Sequence, residues 1–169
     1  MKEGITLLIK NNSLHSFEFY SSQVDSVKHL RSVTTNIPDV DGLYFVFVEE
    51  IDRKSEEHLF FDLFNQQFQL VYFGVAGGTA KTGKIGSQKL RGRINNVVSK
   101  SIKRAKYWNE FMQKHNIKKF KVYCCPVIQP QNFEKECYSF LNKNNYRYPS
   151  LNKRRGRPPV DGMLELLRK

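Results

Sequence analysis

The run Gly42-Leu43-Tyr44-Phe45-Val46-Phe47-Val48 constrains this chain more than any other segment, because after the glycine it is aliphatic or aromatic without a break. A half-exposed strand would alternate with polar residues, so an unbroken run of this kind reads as a strand buried on both faces. It stops at the acidic patch Glu49 to Glu57, and a partner strand follows at Leu70-Val71-Tyr72-Phe73-Gly74-Val75. Residues 49–69 are charged first and then aromatic (Phe60, Phe61, Phe64, Phe68), which suggests a long hairpin connection or a short helix packed on the sheet.

The flanking segments carry weaker patterns. Ile5 to Ile9 fits an edge strand, and Ser21 to Val33 sets Val24, Val27 and Leu30 at helical spacing. Five glycines between Gly74 and Gly86 make a loop. Ser87 can cap a helix with the stripe Leu90, Ile94, Val97, Val98, and a second helix is expected over Tyr107 to Lys114. A third strand runs from Lys119 to Cys124-Cys125-Pro126, and Asn132 can cap a helix through Asn144 with Phe133, Cys137, Phe140 and Leu141 inward. The expected fold is α/β of the α+β type: a small, mostly antiparallel three-stranded central sheet flanked by helices. Residues 1–40 would be an N-terminal extension packed on the core, 41–152 the main domain, and 153–169 a basic tail.

Charge separates the halves. Residues 1–80 hold 6 basic and 11 acidic side chains, net −5, whereas residues 81–169 hold 22 and 5, net +17. Lys81 to Lys121 alone carries 13 Lys or Arg against the single acid Glu110. A small neutral substrate has no use for such a field, while a protein that neutralises several phosphates gains affinity by releasing counterions. The alternative is a set of solvated basic helix faces. No apolar run reaches the ~18 residues of a membrane span, and Met1 to Lys10 lacks the features of a signal peptide. Cys124, Cys125 and Cys137, odd in number with two adjacent, suit reduced thiols in a cytoplasm.

Two familiar site chemistries fail on residue identity. Gly78-Thr79-Ala80-Lys81-Thr82-Gly83-Lys84 spells most of a phosphate-binding P-loop, but Ile85 stands where a metal-ligating Ser or Thr is required, so no nucleotide cofactor is expected. His15, His29, His58 and His115 are scattered, with no zinc spacing, and adjacent Cys124 and Cys125 point to opposite faces of a strand. Lys81 and Lys84 on the glycine-rich turn remain candidates to contact a nucleic-acid phosphate.

A more informative set is spread along the chain: Gly42-Leu43-Tyr44, then Tyr72-Phe73-Gly74, then Leu90-x-x-Arg93-Ile94, then Glu134 and Glu136, then Pro149-x-x-Asn152. In that order the pieces resemble the GIY-YIG nuclease family over residues 42–152. The resemblance implies hydrolysis of a phosphodiester with one divalent ion, Mg2+ or Mn2+, held by a single glutamate. Tyr44 would accept or position the proton of the attacking water, Tyr72 would orient the water or a phosphate oxygen, and Arg93 would donate to the non-bridging oxygens. Of the two glutamates, which a helix would point about 200° apart, Glu136 is the expected metal ligand, with Asn152 in support. The chain departs from the family pattern in the long Tyr44 to Tyr72 spacing, in Phe73, and in Val97 where a histidine is frequent.

The tail segment Lys153-Arg154-Arg155-Gly156-Arg157-Pro158-Pro159 looks like an AT-hook, whose arginines enter the minor groove of A·T-rich DNA. Lys81, Lys84, Lys89, Arg91, Arg154, Arg155 and Arg157 are the expected DNA contacts. The reading is a cytoplasmic, metal-dependent endonuclease on double-stranded DNA, of restriction or mobile-element type, a two-fold dimer if its sites are palindromic. The competing readings are an idle DNA-binding module and, on the broken P-loop, a triphosphatase.

Overall fold

The computed structural model describes residues 1–20, 34–49, 58–78, 88–98 and 103–152. The order is α1 (Lys2–Asn11), β1 (Ser16–Tyr20), β2 (Gly42–Glu49), β3 (Phe60–Leu63), β4 (Gln66–Ala76), α2 (Leu90–Val98), α3 (Lys103–Lys114), β5 (Lys119–Pro126) and α4 (Pro130–Lys143). The strands form one antiparallel sheet in the order β1-β5-β2-β4-β3. The α+β class agrees with the sequence, but the sheet has five strands rather than three.

The apolar run became the central strand for the expected reason. β2 pairs with both β4 and β5, and every residue from Gly42 to Val48 is buried. Its alternate side chains feed two cores. Tyr44, Val46 and Val48 lie with Leu90 and Ile94 of α2 and Trp108 and Met112 of α3. Leu43, Phe45 and Phe47 lie with Ile5 and Ile9 of α1 and Cys137, Tyr138 and Leu141 of α4. Cys124 and Cys125 divide between the same two cores, as strand alternation requires.

Three local expectations are corrected. Ile5 to Ile9 is helix, because Ile5, Leu8 and Ile9 fall at i, i+3 and i+4 and together cover the Phe45 side of the sheet. The stretch before β4 forms a tight hairpin through Phe64 (φ 50°) and Asn65 (φ 64°), a two-residue turn with both central residues left-handed and no glycine to announce it. α4 starts at Pro130, which needs no N–H partner, rather than behind an Asn132 cap. The expected helix over Ser21 to Val33, the Ser87 cap and the tail from Lys153 lie outside the described residues.

β4 carries a bulge. Val46 pairs with Tyr72 and Phe47 with Leu70, so Val71 is an extra residue. Without it, Tyr72 would point with Leu70 and Phe68 toward α4; with it, Tyr72 joins the face of Tyr44. β3 pairs with β4 only as far as Gln69, and the free edge beyond is closed by the end of the described chain: the Leu151 N–H donates to the Val71 carbonyl at 2.8 Å.

Candidate functional site

Tyr44 and Gly74 are direct partners across β2 and β4, and Tyr72 follows on the same face. The two tyrosine rings lie 5.5 Å apart between centroids, and their hydroxyls approach to 3.4 Å. Gly74 makes room for them. A Cβ there would lie 2.7 Å from the Tyr44 hydroxyl and 2.8 Å from Tyr72 Cε1, inside any permitted contact. At 3.4 Å the hydroxyls are farther apart than an ordinary O–H···O bond. Tyr44 is fully buried, Tyr72 is half-buried, and Trp108 of α3 packs edge-on against Tyr72 at 5.6 Å.

Arg93 belongs to α2, which packs on this face through Leu90 and Ile94. A strap of residues 34–41 fixes the helix: the Leu90 N–H donates to the Val40 carbonyl at 2.9 Å, Arg91 Nε to the Ile37 carbonyl at 2.7 Å, and Thr34 Oγ1 to Asn95 Oδ1 at 2.6 Å. Gly42 permits the close fit, since a Cβ there would meet Leu90 Cδ1 at 2.7 Å. Arg93 itself makes one long contact, Nη1 to Gln88 Oε1 at 3.4 Å, and its Nε is buried with no hydrogen-bond partner among the described residues. A buried cationic donor left this way is costly unless an acceptor arrives.

Asn152 works on the backbone. Its Oδ1 accepts from the Phe73 N–H at 2.8 Å, and its Nδ2 donates to the Phe73 carbonyl at 2.6 Å and to the Tyr138 hydroxyl at 3.3 Å. With the Leu151 bond to Val71, these contacts bracket Tyr72 from the strand edge. Asn152→Ala would strand both Phe73 groups in a buried place, and a loss of about 2–4 kcal/mol is expected. Urea unfolding checks it, and an unchanged midpoint would contradict the role.

The carboxylates lie apart from the tyrosines. α4 packs on the opposite face through Cys137, Tyr138 and Leu141, and Glu136 is exposed. Glu134 is half-buried and one turn from Gln131, whose Nε2 donates to the Gly77 carbonyl at 2.6 Å at the end of the sheet. Among the described residues no three His, Cys, Asp or Glu side chains gather to hold a metal. A single carboxylate still fits Mg2+ or Mn2+, hard ions that take one or two protein ligands and complete their shells with water and phosphate.

Of the expected DNA contacts, Lys89 is exposed at the start of α2, and Arg91 is exposed although its Nε is engaged by Ile37. Lys81, Lys84, Arg154, Arg155 and Arg157 lie outside the described residues. The sequence reading missed Asp41, Gln88, Gln131 and the Val71 bulge. A Gly77-Gly78 doublet directly after a strand was the available signal, since both glycines have positive φ (71° and 72°) and need side-chain partners for their peptides. No helix among the described residues is long and apolar enough to cross a membrane. Compared with models of protein families, with curated proteins and with solved structures, the chain matches none.

Proposed function

We propose that this chain is a metal-dependent DNA endonuclease of GIY-YIG type, hydrolysing phosphodiester bonds in double-stranded DNA. One observation carries the reading: two tyrosine hydroxyls 3.4 Å apart share a sheet face with the helix of Arg93, whose buried Nε has no hydrogen-bond partner among the described residues. In-line attack on phosphorus needs a group to take the water's proton and a cationic donor for the negative charge that builds on the non-bridging oxygens. Tyr72, half-buried, meets the water and, as phenolate, takes its proton to become the neutral phenol, while Tyr44 behind it donates a hydrogen bond to the Tyr72 oxygen and orients it. The planar fork of Arg93 fits phosphate.

A bound divalent ion would supply Lewis-acid stabilisation at the leaving oxygen. Glu134 is better suited to hold it than Glu136, because it lies on the side of α4 turned toward the end of the sheet, whereas Glu136 faces solvent. Lys89, Arg91 and, beyond the described residues, Lys81, Lys84 and the Arg154-Arg155-Gly156-Arg157 segment would bind the phosphate backbone and the minor groove. Restriction or mobile-element chemistry and a two-fold dimer on palindromic sites belong to this proposal.

Supercoiled plasmid incubated with the protein in Mg2+, Mn2+ or EDTA tests it. Metal-dependent nicking is expected, reduced at least ~100-fold in Glu134→Gln, as for loss of one transition-state contact, and little changed in Glu136→Gln. Full burial of Tyr44 favours the second reading, a DNA-binding module without chemistry. Salt-sensitive binding with no cleavage in either metal would establish that reading instead.

A further inference from the structure

The helices that carry Arg93 and Glu134 lie on opposite faces of the sheet, so the sheet alone leaves their relative placement at its end unset. One residue, Gly77, joins them. The Gly77 N–H donates to the Gln88 carbonyl at 2.7 Å, two residues ahead of α2, and the Gly77 carbonyl accepts from Gln131 Nε2 at 2.6 Å in the first turn of α4. The Gly78 N–H, in the same peptide group as the Gly77 carbonyl, donates to Asp41 Oδ2 at 2.9 Å, which fixes the Gly77–Gly78 peptide to the start of β2. The space is full: a Cβ on Gly77 would fall 1.8 Å from Asp41 Oδ1, and one on Gly78 would fall 2.0 Å from Gln131 Oε1. Both positions have positive φ, so glycine is required twice over.

We infer that Gln131 is a positioning residue, which sets the spacing between the arginine helix and the carboxylate helix through Gly77. The inference rests on the proposed nuclease site for its functional meaning, but its geometry is independent of it. Gln131 and Glu134 are three residues apart on α4 and so share a side of that helix. Fixing Gln131 to Gly77 therefore holds Glu134 toward the end of the sheet, while Gln88 holds the start of the Arg93 helix to the same residue. Misplacement of a reacting group by ~1 Å can cost ~100-fold in rate, so a joint of this kind has more effect on turnover than on folding.

Spin labels on Gly92→Cys and Ser139→Cys test the joint. A Cβ at Gly92 meets nothing within 4 Å, Ser139 is exposed, and all three native thiols are buried, so labelling is confined to the two introduced sites. In this background the label-to-label distance distribution is expected to be narrow. In Gln131→Ala and in Gln131→Glu, which cannot donate to the Gly77 carbonyl, it should broaden or shift while the thermal midpoint holds. In the unlabelled protein the same substitutions should lower kcat for plasmid cleavage at least tenfold, with KM for DNA within twofold. A distance distribution in Gln131→Ala that superimposes on the unsubstituted one overturns the joint. Absence of cleavage by the unsubstituted protein overturns the nuclease reading alone, and the distance measurement then decides the joint by itself.

Discussion

Arg93→Met is expected to abolish cleavage and, at the same time, to make the protein harder to unfold. The Arg93 Nε is buried without a hydrogen-bond partner among the described residues, and its remaining contact with Gln88 is long. Removing an unsatisfied buried donor while keeping the apolar stem relieves about 1–2 kcal/mol of desolvation cost. If the arginine stabilises the charge that builds on phosphate, cleavage should fall by roughly 1,000-fold. Arg93→Lys keeps the charge but not the planar fork and should recover little. Opposite signs for stability and activity distinguish a group held ready for a ligand from an ordinary structural arginine, for which both would fall. Urea unfolding and plasmid nicking on the same preparations decide it.

The second large effect is on the alkaline side. Cys125 and Cys137 are buried deeply enough that desolvation pushes each thiol up to about 12 from 9.0, and burial drives Cys124 higher still, with adjacent Cys125 adding to it. Below pH 9 these thiols are protonated whether the chain is folded or not, and they leave stability unchanged. Between pH 9 and about 12 the unfolded chain releases three protons that the folded chain retains, so stability falls as pH rises. Each proton is worth about 1.4 kcal/mol per pH unit, or about 4 kcal/mol per unit for the three. The Tyr123 phenol, also raised to about 12 by burial, adds to the slope. A domain of ordinary stability, about 5–15 kcal/mol, should therefore unfold one to three units above pH 9. Urea midpoints at pH 8, 9 and 10 measure the slope, and Cys125→Ala should remove about a third of the thiol contribution. A flat profile to pH 11 would mean that water reaches the thiols.

The central strand was legible because unbroken burial leaves a composition that no half-exposed strand tolerates, and β2 lies where Gly42 to Val48 requires. The spacing of Leu90 and Ile94 was enough for α2, since a helix stripe depends only on local geometry. β3 escaped because its turn uses Phe64 and Asn65 rather than a glycine pair, and positive φ at an exposed phenylalanine stacked on Tyr123 is not announced by local preference. The tyrosine pair illustrates a different limit. Tyr72 sits on the face of Tyr44 only because Val71 is an extra residue, and a bulge is set by what holds the strand edge, here Leu151 and Asn152, about eighty positions along the chain. The choice between the two glutamates meets a related limit. Helical spacing separated Glu134 from Glu136, but only the contact of Gln131 with Gly77 tells which side of α4 meets the end of the sheet.

Trp108, the one tryptophan in the chain, is 1% exposed and stands edge-on to Tyr72. Excitation of a tyrosine this close transfers to the indole, and the indole's emission depends on what surrounds it. The protein thus carries its own optical probe beside the tyrosine pair, one that reports a shift of Tyr72 without dye, radiolabel or turnover.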